Sequence, residues 1–337
     1  MTQQMRTFEA HPAVRSMVPI LVGLFGASGS GKTYSALRLA TGIQRVSGGE
    51  IFVIDTEADR SLHYAPKGGE QPDPDRGKFR FQHVPFGAPF SPLDYLQAIE
   101  FCLKRGAKTI VIDSMSHEHE GPGGVLEWHQ AEVERMSGGD ERKAERVKLG
   151  AWSAPKAARR RLINTILQLR LNAIFCFRSK EKLKVIAGKP PEPLGWMPIA
   201  GEEFLYEMTV NALLYPSSKG VPTWQPEHTG EKQMLKLPRQ FHTLFSDPAP
   251  LSEEIGEALA LWAAGDDPGG MVRRAMIAAQ SIDQLKAVKP ELDRLKAEKR
   301  VPPAEYNELI ALYKSRGEQM LAAPRLNPDG EPVPDGL

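Results

Sequence analysis

Residues 26–33 read GASGSGKT, a full match to G-x-x-x-x-G-K-[ST], the glycine-rich pattern whose backbone cradles phosphate. Gly26, Gly29 and Gly31 allow tight turns, so that the backbone of Gly26, Ala27, Ser28, Gly29, Ser30 and Gly31 aims several N–H groups at one anion. Lys32 would reach the β- and γ-phosphates, and the hydroxyl of Thr33 would face Mg²⁺; Tyr34 closes the expected nucleotide-binding run. Some eighty residues on, the apolar run TIVI ends in Asp113, a carboxylate suited to holding the water shell of Mg²⁺ opposite the loop. The chemistry these residues could do is chemistry at the terminal phosphate of ATP, with Mg²⁺ as the metal.

The elements that must position them are legible on either side. Residues 18–25 (VPILVGLF) form an apolar, β-rich run suited to a buried strand. From Thr33 onward Leu37, Ala40 and Ile43 recur at helical spacing. Strand, glycine loop and helix put the phosphate at a helix N-terminus, where the dipole favours an anion. A further strand, residues 50–55, follows directly and runs into Thr56 and Glu57. Ser91, Pro92 and Asp94 open a helix over 93–105 that leads into the Asp113 strand. Residues 65–92 read as loops around one strand at 78–84, and residues 208–225 read as a hairpin. The alternation predicts an α/β fold with a mostly parallel sheet over residues 18–250. Residues 1–17 are a polar lead and 251–322 a helical module. In that module Ser281 and Gln284 start one helix and the Pro302-Pro303 pair another; residues 323–337 are a disordered tail.

With these segments in place the chain resembles the RecA-like recombinase ATPases. The resemblance rests on the glycine loop, on the strand end Asp55-Thr56-Glu57, and on the pair Asp113-Ser114. It implies that Glu57 positions the attacking water and that Tyr64, seven residues on, stacks on adenine. The family's next core strand ends in a polar γ-phosphate sensor, usually Gln. Here residues 173–177 (AIFCF) run into Arg178, Ser179 and Lys180, of which Arg178 or Ser179 would take that role. RecA-like sites usually lie between subunits, which implies a homo-oligomer, ring or filament; Arg178, Lys180 and Lys182 are candidates for the cation a neighbour supplies. A closer resemblance is to phage-encoded RecA-core ATPases proposed to act in single-strand annealing and recombination. It is carried by GASGSGKTYSAL, VIDTEADRS, PFSPLDYLQAI, VIDSMSHEHEGPGGVLE, FRSKEK and GEEFLYEMTV, in order across residues 18–215. It implies single-stranded DNA as partner, with a single-strand binding protein as a further one.

Charge supports a polyanion partner. The chain carries a net +1, yet residues 141–189 hold 14 Lys and Arg against three Glu. In RecA-like proteins the DNA loops follow the Asp-bearing and sensor strands, here near residues 137–153 and 179–200. Arg159, Arg160 and Arg161, with Lys180, Lys182 and Lys184, are the DNA-binding candidates, and Trp152 and Trp196 could stack on unpaired bases. The competing interpretation is a solvated helix face with each Trp in the core.

Residues 117–120 read HEHE. Two His at i and i+2 share a face only on a strand, and glycines follow at once, so a role near the γ-phosphate or in an interface is expected rather than a metal cage. Glu118 is the second candidate for general base. Cys102 and Cys176 fall in apolar patterns and read as buried reduced thiols. No apolar run is long enough to span a bilayer, and residues 1–16 lack an apolar secretory core, so a cytoplasmic protein without membrane contact is expected. The function expected is an ATP-hydrolysing, single-stranded DNA-binding protein of phage-type recombination. A motor or loader ATPase for helicase or packaging and a P-loop small-molecule kinase are the alternatives.

Overall fold

The glycine-loop strand runs inside a parallel sheet in the computed structural model, which describes residues 10, 17–186, 188, 190–265, 268–298, 301 and 303–322. The elements follow in order β1 (Leu21–Gly26), α1 (Lys32–Ser47), β2 (Glu50–Asp55), β3 (Gln82–Pro85), α2 (Pro92–Lys104) and β4 (Ala107–Asp113). Then come α3 (Ser116–Glu120), α4 (Val125–Ser137), α5 (Glu141–Val147), α6 (Ser153–Gln168), β5 (Asn172–Lys184) and β6 (Glu192–Pro198). The chain continues through α7 (Glu202–Tyr206), β7 (Val210–Leu213), α8 (Thr229–Met234) and α9 (Glu253–Ala264). Last are α10 (Pro268–Ala278), α11 (Ile282–Ala297) and α12 (Pro303–Ala322).

Among the described residues the strands form one seven-stranded sheet, order β3-β2-β4-β5-β1-β7, parallel throughout, with β6 antiparallel to the outer half of β5. Both faces are covered, which is why the inner strands read as unbroken apolar runs. Side chains alternate across the sheet. Leu21, Phe25, Ile110 and Ile112 meet Tyr95, Ile99, Leu162 and Ile166 on the α2/α6 face. Val22, Leu24, Val111 and Ile174 meet Leu37, Ala40, Ile43 and Leu259 on the α1/α9 face. Ser91 caps α2 in a reciprocal box with Asp94. Among the described residues no helix is long and apolar enough to cross a membrane.

Several expected elements are corrected. Residues 208–225 are not a hairpin. The buried run VNAL becomes β7, parallel to β1, because the free edge of β1 offers it a fully apolar seat; a single antiparallel bridge from Leu213 to Thr223 is all that returns. The strand expected at 78–84 is confined to β3. The stretches 137–153 and 179–200 are not loops. Asp140 accepts hydrogen bonds from the Arg142 and Lys143 amides and starts α5, so the first is helical on either side of a two-glycine turn. The second is the β5–β6 hairpin.

The chain divides into two compact units, Val18–Ala263 and a second that groups Met17 with the residues from Ala264 on. Helix α9 therefore belongs with the sheet rather than with the helical module expected to begin at residue 251. The backbones of α1 and α9 approach so closely that a Cβ on Gly42 would lie 1.8 Å from the Glu253 carbonyl oxygen, and one on Gly256 would lie 2.2 Å from that of Leu39. Arg38 clasps both carboxylate oxygens of Glu253 beside this crossing. In an open helix Gly→Ala stabilises by about 0.5–1 kcal/mol. At Gly42 the sign reverses: Gly42→Ala is expected to destabilise by about 1–3 kcal/mol, read as a lower urea midpoint at unchanged m-value. The second unit has its own core of Val272, Met276, Leu285, Leu292, Leu295 and Leu309, with Ser281 capping α11. The expected tail at 323–337 and most of the expected lead at 1–17 lie outside the described residues.

Candidate nucleotide site

Parallel pairing brings the carboxyl ends of the strands to one edge, the place where open α/β sheets hold ligands. Gly26 of β1 lies level with Arg178 of β5, and Asp55 of β2 with Asp113 of β4. The cleft outside this edge measures about 630 Å³ and is lined by Ser28, Gly29, Gly31, Lys32 and Thr33, together with Glu57, Tyr64, Asp113, Glu120, Arg178 and Ser179.

The phosphate loop takes the shape its glycines permit. Gly29 and Gly31 have φ of 79° and 89°, in the left-handed region. A Cβ on Gly29 would meet nothing within 4 Å, so this stretch of backbone opens onto the cleft. Gly26 faces the other way, where a Cβ would lie 2.2 Å from the Leu214 carbonyl oxygen. Gly26, Ala27 and Ser30 thus build the loop from beneath, while Ser28, Gly29 and Gly31 line it. The Lys32 ammonium donates to the Gly26 and Ala27 carbonyls at 3.0 and 2.7 Å, and burial pushes its pKa below the usual lysine range. The Thr33 hydroxyl donates to Asp113 at 2.5 Å. Burial raises the Asp113 carboxyl to about 6, against the pull of the Thr33 hydrogen bond. One hydroxyl and one carboxylate at the cleft fit Mg²⁺, a hard cation that keeps most of its waters and takes few protein oxygens.

Glu57 is aimed by the turn that follows β2. One oxygen of Asp55 accepts the Glu57 N–H at 2.7 Å, and the other accepts the Ser61 N–H and hydroxyl at 2.9 and 2.6 Å. Ala58 and Asp59 both adopt left-handed backbone, which closes this turn. Arg178 grips Glu57 with both arms of its fork, Nε to Oε1 at 2.7 Å and Nη2 to Oε2 at 2.5 Å. Burial pushes the Glu57 carboxyl up, but the hydrogen bonds and charge of Arg178 outweigh it and hold it below the usual carboxylate range. Sequence reasoning named both residues and missed that they are partners 121 positions apart.

Behind this edge lies a buried network that no motif signals. Thr56 Oγ1 accepts the Ser114 N–H at 2.7 Å, donates to the Ser114 carbonyl at 3.0 Å, and lies 2.7 Å from His117 Nδ1. Tyr95 donates to the same carbonyl at 2.8 Å, and Ser116 Oγ accepts the Arg178 N–H at 2.8 Å. The four residues HEHE thus separate by role. His117 stacks on Phe90 beside Thr56, and Glu120 lines the cleft 3.6 Å from Lys180. Glu118 turns inward, 3% exposed, and binds Arg159 through both oxygens at 2.9 and 2.8 Å. His119 Nδ1 is 2.9 Å from the same guanidinium, and burial followed by the Arg159 charge lowers its pKa to about 4.

Four expected roles are overturned by this geometry. Glu118 does not face the cleft, so it is no candidate for general base. Arg159 is 3% exposed and fully engaged, so it is no DNA contact; successive residues on a helix point in different directions, and only Arg160 and Arg161 reach solvent. Tyr34 does not line the cleft: it packs edge-on against Phe79 and supports Tyr64, whose ring centroid is 5.9 Å away and which does line it. Trp152 is stacked on His129 at 3.9 Å, and Trp196 is half-buried against the sheet core, its backbone N–H donating to Glu231 at 2.7 Å, so each ring already has a packing partner within the protein. Lys180, Lys182 and Lys184 do alternate along extended β5 and are exposed. No protein-family model matches the chain, and no curated protein matches it.

Proposed function

We propose that the chain is a RecA-like P-loop ATPase that binds single-stranded DNA and acts in phage-type recombination or annealing. The observation that carries the nucleotidase reading is the meeting of Lys32, the Thr33–Asp113 pair, Glu57 and Arg178 at one sheet edge. Gly29, Gly31 and the N-terminus of α1 wrap the phosphates with backbone amides, and Lys32 adds the loop's cation. Thr33 and Asp113 would hold Mg²⁺, which when bound would supply positive charge against the phosphate oxygens. Glu57 orients water for in-line attack and takes its proton, and Tyr64 offers a ring for the base. Water as the acceptor favours hydrolysis over transfer to a small molecule. Oligomerisation, in a ring or filament, is part of the proposal by resemblance.

The DNA reading is supported by the course of β5. The strand that carries Arg178 into the cleft continues outward through Lys180, Lys182 and Lys184. Exposed Arg160 and Arg161 of α6 add charge elsewhere on the same unit. The test is ATP hydrolysis and strand binding measured together. Binding to single strands should weaken with salt at a slope near −0.7 per phosphate contact. Lys182→Glu with Lys184→Glu should flatten that slope by about one unit or more and remove the stimulation of hydrolysis by DNA, with basal hydrolysis intact. Strand affinity unchanged in that pair, with hydrolysis retained, would replace DNA by a protein partner and favour the loader reading.

A further inference from the structure

The guanidinium of Arg178 has two uses within one site, and they exclude each other. Its backbone is pinned: the strand pairs with β1 level with Gly26, and its N–H donates to Ser116 Oγ at 2.8 Å. Its side chain is 42% exposed and borders the cleft, while Glu57 beneath it is 14% exposed. The fork of an arginine matches a carboxylate and a phosphate equally well. While the fork holds Glu57, one acceptor site on each carboxylate oxygen is engaged, and the group that should polarise water has its basicity reduced. Arg60, 3.8 Å from Glu57 and 70% exposed, is too far and too solvated to substitute as clamp.

We propose that Arg178 is a positioning residue that works as an exchange latch, leaving Glu57 for the terminal phosphate of a nucleoside triphosphate and thereby releasing Glu57 to orient water. This rests on the nucleotidase reading. A diphosphate lacks the group that competes for the guanidinium, so it leaves the pair closed. Opening the latch draws on the binding energy of the triphosphate, and removing the carboxylate removes that demand. Two consequences follow that a merely structural ion pair would not produce. Neutralising Glu57 should tighten triphosphate binding, and it should do so only when Arg178 is present.

The test is equilibrium binding of the β,γ-imido analogue of ATP and of ADP, each with Mg²⁺. The proteins are the full-length wild type, Glu57→Gln, Arg178→Ala, Arg178→Lys and the double variant Glu57→Gln/Arg178→Ala. Thermal melts confirm that each is folded. Glu57→Gln should bind the analogue about tenfold tighter than wild type and ADP within twofold, as for a latch open about a tenth of the time. Arg178→Ala should lose the preference for the analogue over ADP, and Arg178→Lys, which keeps the charge without the fork, should fall between. In the double variant the gain from Glu57→Gln should vanish, a non-additivity that only coupled residues show. The latch is overturned if Glu57→Gln leaves analogue affinity unchanged, tightens ADP equally, or keeps its gain without Arg178. If wild type binds neither nucleotide, the nucleotidase reading falls, and the latch with it.

Discussion

Lys32→Ala is expected to lower ATP hydrolysis by at least about a hundredfold and to weaken triphosphate binding, without unfolding the protein. On the nucleotidase proposal the loss is large because Lys32, 9% exposed and lining the cleft, is the loop's side-chain cation and would meet the charge that develops on the transferred phosphoryl group. Burial already lowers its pKa, so the site holds this charge at a desolvation cost that a bound polyanion offsets. The fold should tolerate the change. Lys32 is the first residue of α1, and its ammonium bonds only two loop carbonyls, which water can satisfy once the side chain is gone. Phosphate release and calorimetric binding read the two effects separately. A Lys32→Ala protein that hydrolyses ATP at the wild-type rate would remove the cleft from consideration as a nucleotidase site.

The part of this site legible in the sequence is the part that local rules determine. A glycine loop between an apolar strand and a helix has one workable shape, and Gly29 and Gly31 take the left-handed backbone it requires. Asp113 and Glu57 were readable for a related reason: parallel strands bring their carboxyl ends to the same edge, so a carboxylate at or just past a strand end arrives near the loop. What stayed hidden was pairing across distance. Glu57 and Arg178, or Glu118 and Arg159, meet through strand order and helix packing that no spacing encodes. The basic block misled because net charge over a segment does not say which residues reach solvent. Arg159 turns into the protein while Arg160 and Arg161 turn out. The aromatic residues misled similarly: Trp152 is stacked on His129, and Tyr34 packs edge-on against Phe79. The hairpin expected at 208–225 failed because the open edge of β1 outcompeted a local turn.

Arg159→Ala is expected to cost about 3–5 kcal/mol of folding stability, whereas Arg160→Ala and Arg161→Ala should each stay within about 0.5 kcal/mol. Arg159 of α6 joins three acceptors: Glu118 and His119 of α3, and Glu203 of α7 at 3.4 Å. The seat is shaped for it, since a Cβ on Gly201 would lie 2.1 Å from its Nη1. Removing the guanidinium strands Glu118, whose carboxyl burial already drives above its usual range even with Arg159 beside it. The penalty is therefore that of a buried charge without a partner rather than the net worth of the pair. Two consequences separate this from a loss of packing. Arg159→Met/Glu118→Gln, which removes both charges and keeps most of the volume, should recover the larger part of the stability. Because α3 also carries Glu120 to the cleft, Arg159→Ala should weaken nucleotide binding where Arg160→Ala and Arg161→Ala do not. Urea midpoints for these variants decide the matter. An Arg159→Ala protein as stable as wild type would mean that the guanidinium is not committed to Glu118, and would return Arg159 to the residues available for a polyanion.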